Sequence, residues 1–169
     1  MESLVGRRKE NFLLLLCYLL HAYQLYVGEV QEISLIIKEC FQVHDIFVSK
    51  NKDEYYYTFE EIVKKPLILL EKSSNTRNYL DNFFAKKGLL LKPTIELGAH
   101  NLLLDFARAN LGISCVIREF SKNSLNSSEL YEIKLKEALP VRSIGYAYPK
   151  RRTKSAAANK FIELIEEEI

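Results

Sequence analysis

Residues 66–77 read PLILLEKSSNTR and residues 95–114 read IELGAHNLLLDFARANLGIS, and these two stretches decide the fold. Pro66 disfavours helix before it and marks a boundary. The apolar run Leu67 to Leu70 behind it has no polar alternation, which suits a strand of a parallel sheet covered on both faces. After a polar stretch, Tyr79, Leu80, Phe83 and Phe84 recur at helical spacing, and Gly88 closes the pattern as a helix C-terminus. The unit then repeats. Thr94 to Leu97 read as a strand, Gly98, Ala99 and His100 as a turn, and Asn101 to Asn110 as a helix with Leu102, Leu103, Phe106 and Ala107 inward. Gly112 follows the helix, and Ile113 to Ile117 are the next strand. Strand, helix and strand in this order make a right-handed crossover and a parallel sheet, so the fold class is α/β.

Open α/β sheets place ligands beyond the carboxyl ends of their strands. Both Ser73-Ser74-Asn75-Thr76-Arg77 and Gly98-Ala99-His100 lie at that edge. A helix N-terminus exposes unpaired N–H groups and a partial positive charge, which suits a carboxylate or other anion. The other reading of 73–77 is plain helix capping by Ser74 or Asn75, with Arg77 in solvent. That two such turns fall on one edge favours the ligand reading.

Outward from this centre, Ile33 to Lys38 and Val43 to Ser49 are short β-branched runs that read as buried strands. Residues 51–54 are a polar connection, and Thr58 with Glu61 predicts a capping box at the start of a short helix that Pro66 stops. Ser121 to Glu129 read as a polar loop, and Leu130 to Leu135 and Arg142 to Tyr148 as strands separated by Pro140. Ser155 is the expected N-cap of a closing helix that buries Phe161, Ile162 and Ile165. The cluster Lys150, Arg151, Arg152 and Lys154 reads as solvated surface.

The chain has 169 residues, 48% of them hydrophobic and 27% charged, enough for one domain or for two small lobes. Its 24 basic and 22 acidic residues leave a net charge of +2 with no concentrated basic stripe, so electrostatics give DNA binding by this chain little support. Cys17, Cys40 and Cys115 lack C-x-x-C spacing and read as buried thiols in a reducing cytoplasm. His21, His44 and His100 do not cluster with them at ligand spacing, so no metal is expected. No Gly-rich phosphate loop and no G-x-S-x-G elbow occur, so the signatures of an enzyme and of a cofactor site are missing.

Arg7, Arg8 and Lys9 precede an apolar run from Phe12 to Leu20. Three readings stay open for this segment: a helix buried on several sides, a secretory signal, and a membrane span.

The ordered set of 66–77, a helix ending in Lys-Lys-Gly, 95–114 and the closing Arg-Arg, Ser155-Ala156-Ala157 and apolar helix resembles the effector domain of LysR-type transcriptional regulators. The resemblance runs from about Val27 to Ile169. It implies a two-lobed, periplasmic-binding-protein-like (type 2) fold, with lobe I incomplete and formed by residues 27–50 and 140–169, and lobe II by residues 51–139. Residues 1–26 are unmatched. It implies ligand contacts at Ser73, Ser74, Asn75, Thr76 and Arg77, and at Gly98, Ala99 and His100, with Arg77 pairing bidentately with an effector carboxylate. It further implies a small anionic effector, no catalysis, no cofactor, a cytoplasmic homodimer without membrane contact, and DNA contact only through a helix-turn-helix module that this chain does not match. Ile117 stands where the family commonly has proline, and the first part of lobe I is not matched, so the chain is expected to be a shortened reading of a longer regulator. The alternatives are an exported solute-binding protein of the same fold and an enzyme built on it.

Overall fold

The computed structural model describes residues 35–149 and 155–168. The expectations for residues 1–26, including Cys17 and His21, and for the basic cluster at 150–154 lie outside the described residues. In chain order the elements are β1 (Leu35–Val43), β2 (Asp45–Ser49), α1 (Phe59–Ile62), β3 (Leu67–Leu70), α2 (Asn75–Lys86), β4 (Ile95–Leu97), α3 (His100–Arg108) and β5 (Ile113–Ile117). A 3-10 turn at Arg118–Phe120, α4 (Lys122–Asn126), β6 (Tyr131–Glu132), β7 (Arg142–Pro149) and α5 (Ala156–Glu168) complete them.

The apolar run at 67–70 is an interior strand of a five-stranded sheet in the order β4-β3-β5-β2-β6. β3 is parallel to β4 and β5, and β2 is antiparallel to β5 and β6. Because side chains alternate along a strand, Leu67 and Leu69 join Phe47 and Cys115 on one face, packed under Leu80 and Phe84 of α2. Ile68 joins Ile46, Val48 and Val116 on the other, packed under Leu103, Leu104 and Ala107 of α3. Both faces are covered, which is why the strand reads as continuous apolar sequence.

Local signals set the helix ends. Thr58 Oγ1 accepts from the Glu61 N–H and the Glu61 carboxylate accepts from the Thr58 N–H, the reciprocal bonds of a capping box. α2 ends with Gly88 at φ 74°, the Leu89 N–H bonding to the Phe84 carbonyl and the Gly88 N–H to that of Ala85. α3 ends the same way on Asn110 at φ 58°, with Leu111 N–H to Phe106 and Asn110 N–H to Ala107. Both are Schellman closures, with Gly88 and Asn110 in the left-handed position. Gly112 has another duty: a Cβ there would lie 2.5 Å from the Pro66 carbonyl oxygen, which accepts from the Ile113 N–H.

The chain divides into two compact units, one spanning His44–Val141 and the other holding β1, β7 and α5. The sequence reading groups β2 with lobe I, but its hydrogen bonds to β5 and β6 put it inside the central sheet. The unit therefore begins at His44 rather than 51. Residues 46–48 are buried, and a buried apolar run does not declare which sheet it joins.

In the other unit β1 and β7 form an antiparallel ribbon from Leu35↔Pro149 to Val43↔Arg142, with a bulge between Glu39 and Phe41. α5 adds Ile165, 2% exposed, while Phe161 and Ile162 are only half-buried rather than fully inward. Its Glu166 carboxylate accepts from Lys38 Nζ at 2.6 Å and Tyr146 Oη at 2.7 Å.

Three further expectations change. β1 continues to Val43, because β7 pairs with it along its whole length. The segment 121–129 holds the short helix α4, and the strand expected over 130–135 shrinks to β6 with a single bridge from Tyr57 to Leu135. No helix among the described residues is long and apolar enough to cross a membrane.

Candidate functional site

Leu97, Leu70 and Ile117 end the parallel strands β4, β3 and β5, so the segments after them share one edge of the sheet. The first two carry the residues singled out in the sequence. Glu71 N–H donates to the Leu97 carbonyl at 3.0 Å, which sets the two exits side by side. Ser74 N–H then bonds to the Glu71 carbonyl at 3.0 Å, and Asn78 N–H to the Ser74 carbonyl at 3.0 Å, turning the chain into α2.

Ser74 is the N-cap, but its side chain makes no capping bond, and Asn75 is already the first helical residue. The capping reading is thus met in position and not in bonding. The amide groups of the first turn have no acceptor inside the helix and project toward the strand edge. Ser73 and Asn75 are exposed, and Ser74 and Thr76 half-buried. Ser73 Oγ donates to Glu71 Oε1 at 2.8 Å, and that oxygen lies 3.8 Å from where a Cβ on Gly98 would be. The Glu71 carboxylate therefore lies between the two turns.

Arg77 departs from the capping reading, which puts it in solvent. It is 2% exposed, so it is not in solvent. Its Nε donates to Asp81 Oδ1 at 3.0 Å and Oδ2 at 3.1 Å, and its Nη1 to the Leu70 carbonyl at 2.9 Å, with Glu96 Oε1 at 3.2 Å. Nε and Nη1 are thereby engaged by groups of the protein itself.

The second turn is one residue shorter than expected, since α3 begins at His100 with Ala99 as N-cap. Gly98 is exposed, and Ala99 and His100 are half-buried. His100 Nε2 accepts from the Ile117 N–H at 3.4 Å, and its ring meets Phe120 edge-on at 5.9 Å. Burial lowers its pKa to about 4. The imidazole is therefore neutral near pH 7, and with Nε2 accepting, the proton sits on Nδ1.

At the third exit the sequence reading singled out Ile117 but not the residues that follow it. Burial pushes the Glu119 carboxyl up, but bonds from the His44 N–H at 3.0 Å and His44 Nδ1 at 2.7 Å hold it, on balance, below the usual carboxylate range. Arg118 pairs with Glu132, while its Nε is buried without a partner among the described residues. The signal was available: Ile117 is the third strand end of the same edge.

A hollow of about 300 Å³ lined by Ser49, Asn51, Tyr57, Lys65, Asn110 and Gly112, among others, lies at the opposite edge, where β3 and β5 begin. It contains none of the expected site residues. Among the described residues no group of three or more His, Cys, Asp or Glu side chains is placed to hold a metal ion. Cys40 and Cys115 are buried in different units.

Residues 50–169 match the family model for the LysR substrate binding domain. The chain is 26% identical over 106 residues to the uncharacterized HTH-type transcriptional regulator YeiE of Escherichia coli (strain K12). That match takes in 63% of this chain and 36% of YeiE, so the chain spans about a third of that relative's length. Among solved structures, the regulatory domain of CcmR from Synechocystis PCC6803, in complex with 2-PG, superposes with a TM-score of 0.70 at 17% identity, over 83% of this chain and 70% of that one. The effector binding domain of QuiR in complex with shikimate superposes with a TM-score of 0.67 at 16% identity, over 83% and 68%. At such identities the likeness is one of fold.

Proposed function

The chain belongs to the LysR substrate-binding domain family, and from that premise we propose that it senses a small anionic effector at the carboxyl edge of its central sheet. Its fold is the mixed α/β, periplasmic-binding-protein-like fold of LysR regulatory domains, a binding domain and not an enzyme. One observation carries the choice of edge. The Glu71-to-Leu97 hydrogen bond sets two strand-to-helix turns, Ser73–Thr76 and Gly98–His100, next to one another at the ends of β3 and β4. Each turn opens a helix, so each offers amide donors and the positive end of a helix dipole.

In this reading Ser73, Ser74, Asn75 and Thr76 contact the effector with hydroxyl, amide and backbone groups. Gly98 and Ala99 give close backbone approach, and neutral His100 supplies Nδ1–H. Arg77 stands behind the first turn instead of pairing with the effector. The unit His44–Val141 is lobe II, and β1, β7 and α5 belong to lobe I. Homodimerisation, cytoplasmic location and control of transcription through a helix-turn-helix module are carried over from the family. Binding would act by favouring one arrangement of the regulator over another.

The test is a thermal-shift panel of small carboxylates and phosphates that includes the ligands of the two solved relatives, 2-PG and shikimate. A panel compound that stabilises the chain saturably is expected, and Ser73→Ala with Thr76→Ala should weaken it by about tenfold, the loss of roughly one net hydrogen bond to a charged group. A binder whose affinity is untouched by that double substitution contradicts the assignment.

A further inference from the structure

We propose that Arg77 is the positioning residue of the effector site: without touching the effector, its guanidinium fixes the 71–76 turn and the Gly98–His100 turn relative to one another. The inference rests on the reading that these turns carry the effector. Arg77 sits in the first turn of α2 and is among the largest fully buried side chains of the molecule. Its Nε is held by both oxygens of Asp81, one turn further along α2. Its Nη1 donates to the carbonyl of Leu70, the last residue of β3, at 2.9 Å and lies 3.2 Å from Glu96 Oε1 on β4. One cation thus ties together the helix that opens at the first turn, the strand that feeds it, and the strand that feeds the second turn.

The geometry of these partners requires a guanidinium. Arginine offers five donors in a fixed plane, whereas a lysine ammonium offers three from one point. A single ammonium would have to choose between Asp81 on the helix and the Leu70 and Glu96 oxygens on the strands. A buried ion pair adds little net stability compared with apolar packing, so its use here is better understood as fixing geometry. Two carboxylates face this one guanidinium, so its charge is not offered to an effector and the recognition of an anion is left to the turns. The residues at risk are adjacent in sequence: Leu70 precedes Glu71, whose N–H bonds to Leu97, and Leu97 precedes Gly98. Moving the Leu70 carbonyl or the end of β4 therefore moves both turns together.

Hydrogen exchange on the 169-residue chain tests this without a ligand, using wild type, Arg77→Lys, Glu96→Gln and the double variant. Arg77→Lys is expected to accelerate exchange in both 67–78 and 95–104 by about tenfold, while 45–49 and 113–117 keep their rates. Glu96→Gln alone should accelerate 95–104, and in the Arg77→Lys background it should add nothing. Acceleration spread evenly over the sheet, acceleration confined to 67–78, or additive effects of the two substitutions would overturn the proposal. Leu103→Val supplies the uniform pattern that plain loss of stability produces. Where a panel compound binds, Arg77→Lys should weaken it by about tenfold at unchanged stoichiometry. Coupled exchange with no panel compound bound keeps the brace and removes the effector reading. A bound compound indifferent to Arg77→Lys keeps the reading and removes the brace.

Discussion

His100 shows how much a single side chain reports about this edge. Its ring is held neutral by burial, with a pKa lowered from 6.5 to about 4, while Nε2 takes the Ile117 N–H. A pKa depressed in the folded state means that the unfolded chain binds the proton more tightly. The corresponding stability is fully present above about pH 6.5 and is lost as pH falls toward 4. We expect urea unfolding to show that loss, on the order of 2 kcal/mol for this side chain. His100→Gln should flatten the curve between pH 6.5 and 4.5. Carboxylates such as Glu119, whose pKa is also lowered, add to acid loss below that window and are common to both proteins. An identical pH dependence in His100→Gln would show that burial does not hold the imidazole neutral.

At the scale of elements, the two glycines beside the parallel strands make opposite predictions. Gly112→Ala would place a Cβ 2.5 Å from the Pro66 carbonyl and 3.2 Å from the Ile68 side chain, so the β3–β5 pairing must shift. A loss of about 1–3 kcal/mol in denaturant unfolding is expected. Gly98→Ala meets nothing closer than Glu71 at 3.8 Å, so stability should stay within about 0.5 kcal/mol of wild type. The methyl group would nevertheless enter the space between the two turns, and affinity for a bound panel compound should fall.

Elements whose cause is local were legible in the sequence. The apolar run of β3, the helical spacing in α2 and α3, and the Thr58–Glu61 box declare themselves within a few residues. α4 did not, because Asn and Ser have poor helix propensity, and a bond from another element ties it down: Arg108 Nη2 donates to Ser124 Oγ. The membership of β2 and the burial of Arg77 were equally hidden. Each depends on partners distant along the chain or on another element, and no residue pattern near 45 or 77 names them.

For the whole molecule, the described parts of the two units differ in how much they bury. The unit His44–Val141 has a sheet covered on both faces, whereas among the described residues β1 and β7 pair only with each other and pack with α5. A two-stranded ribbon is marginal on its own, and Ile37 on β1 is 72% exposed. We therefore expect the chain to form a dimer or larger species in light scattering at micromolar concentration, and a clean monomer would count against this.

The central claim, that the edge formed by the ends of β3 and β4 receives a small anionic effector, is tested most directly by amide chemical-shift mapping. The isotope-labelled chain would be titrated with the panel compound that stabilises it most. The account predicts saturable shifts concentrated at Ser73–Thr76 and Gly98–His100, with smaller ones at Ile117 and Arg118. Shifts centred on Asn51–Tyr57 and Lys65, at the opposite edge of the sheet, would contradict it.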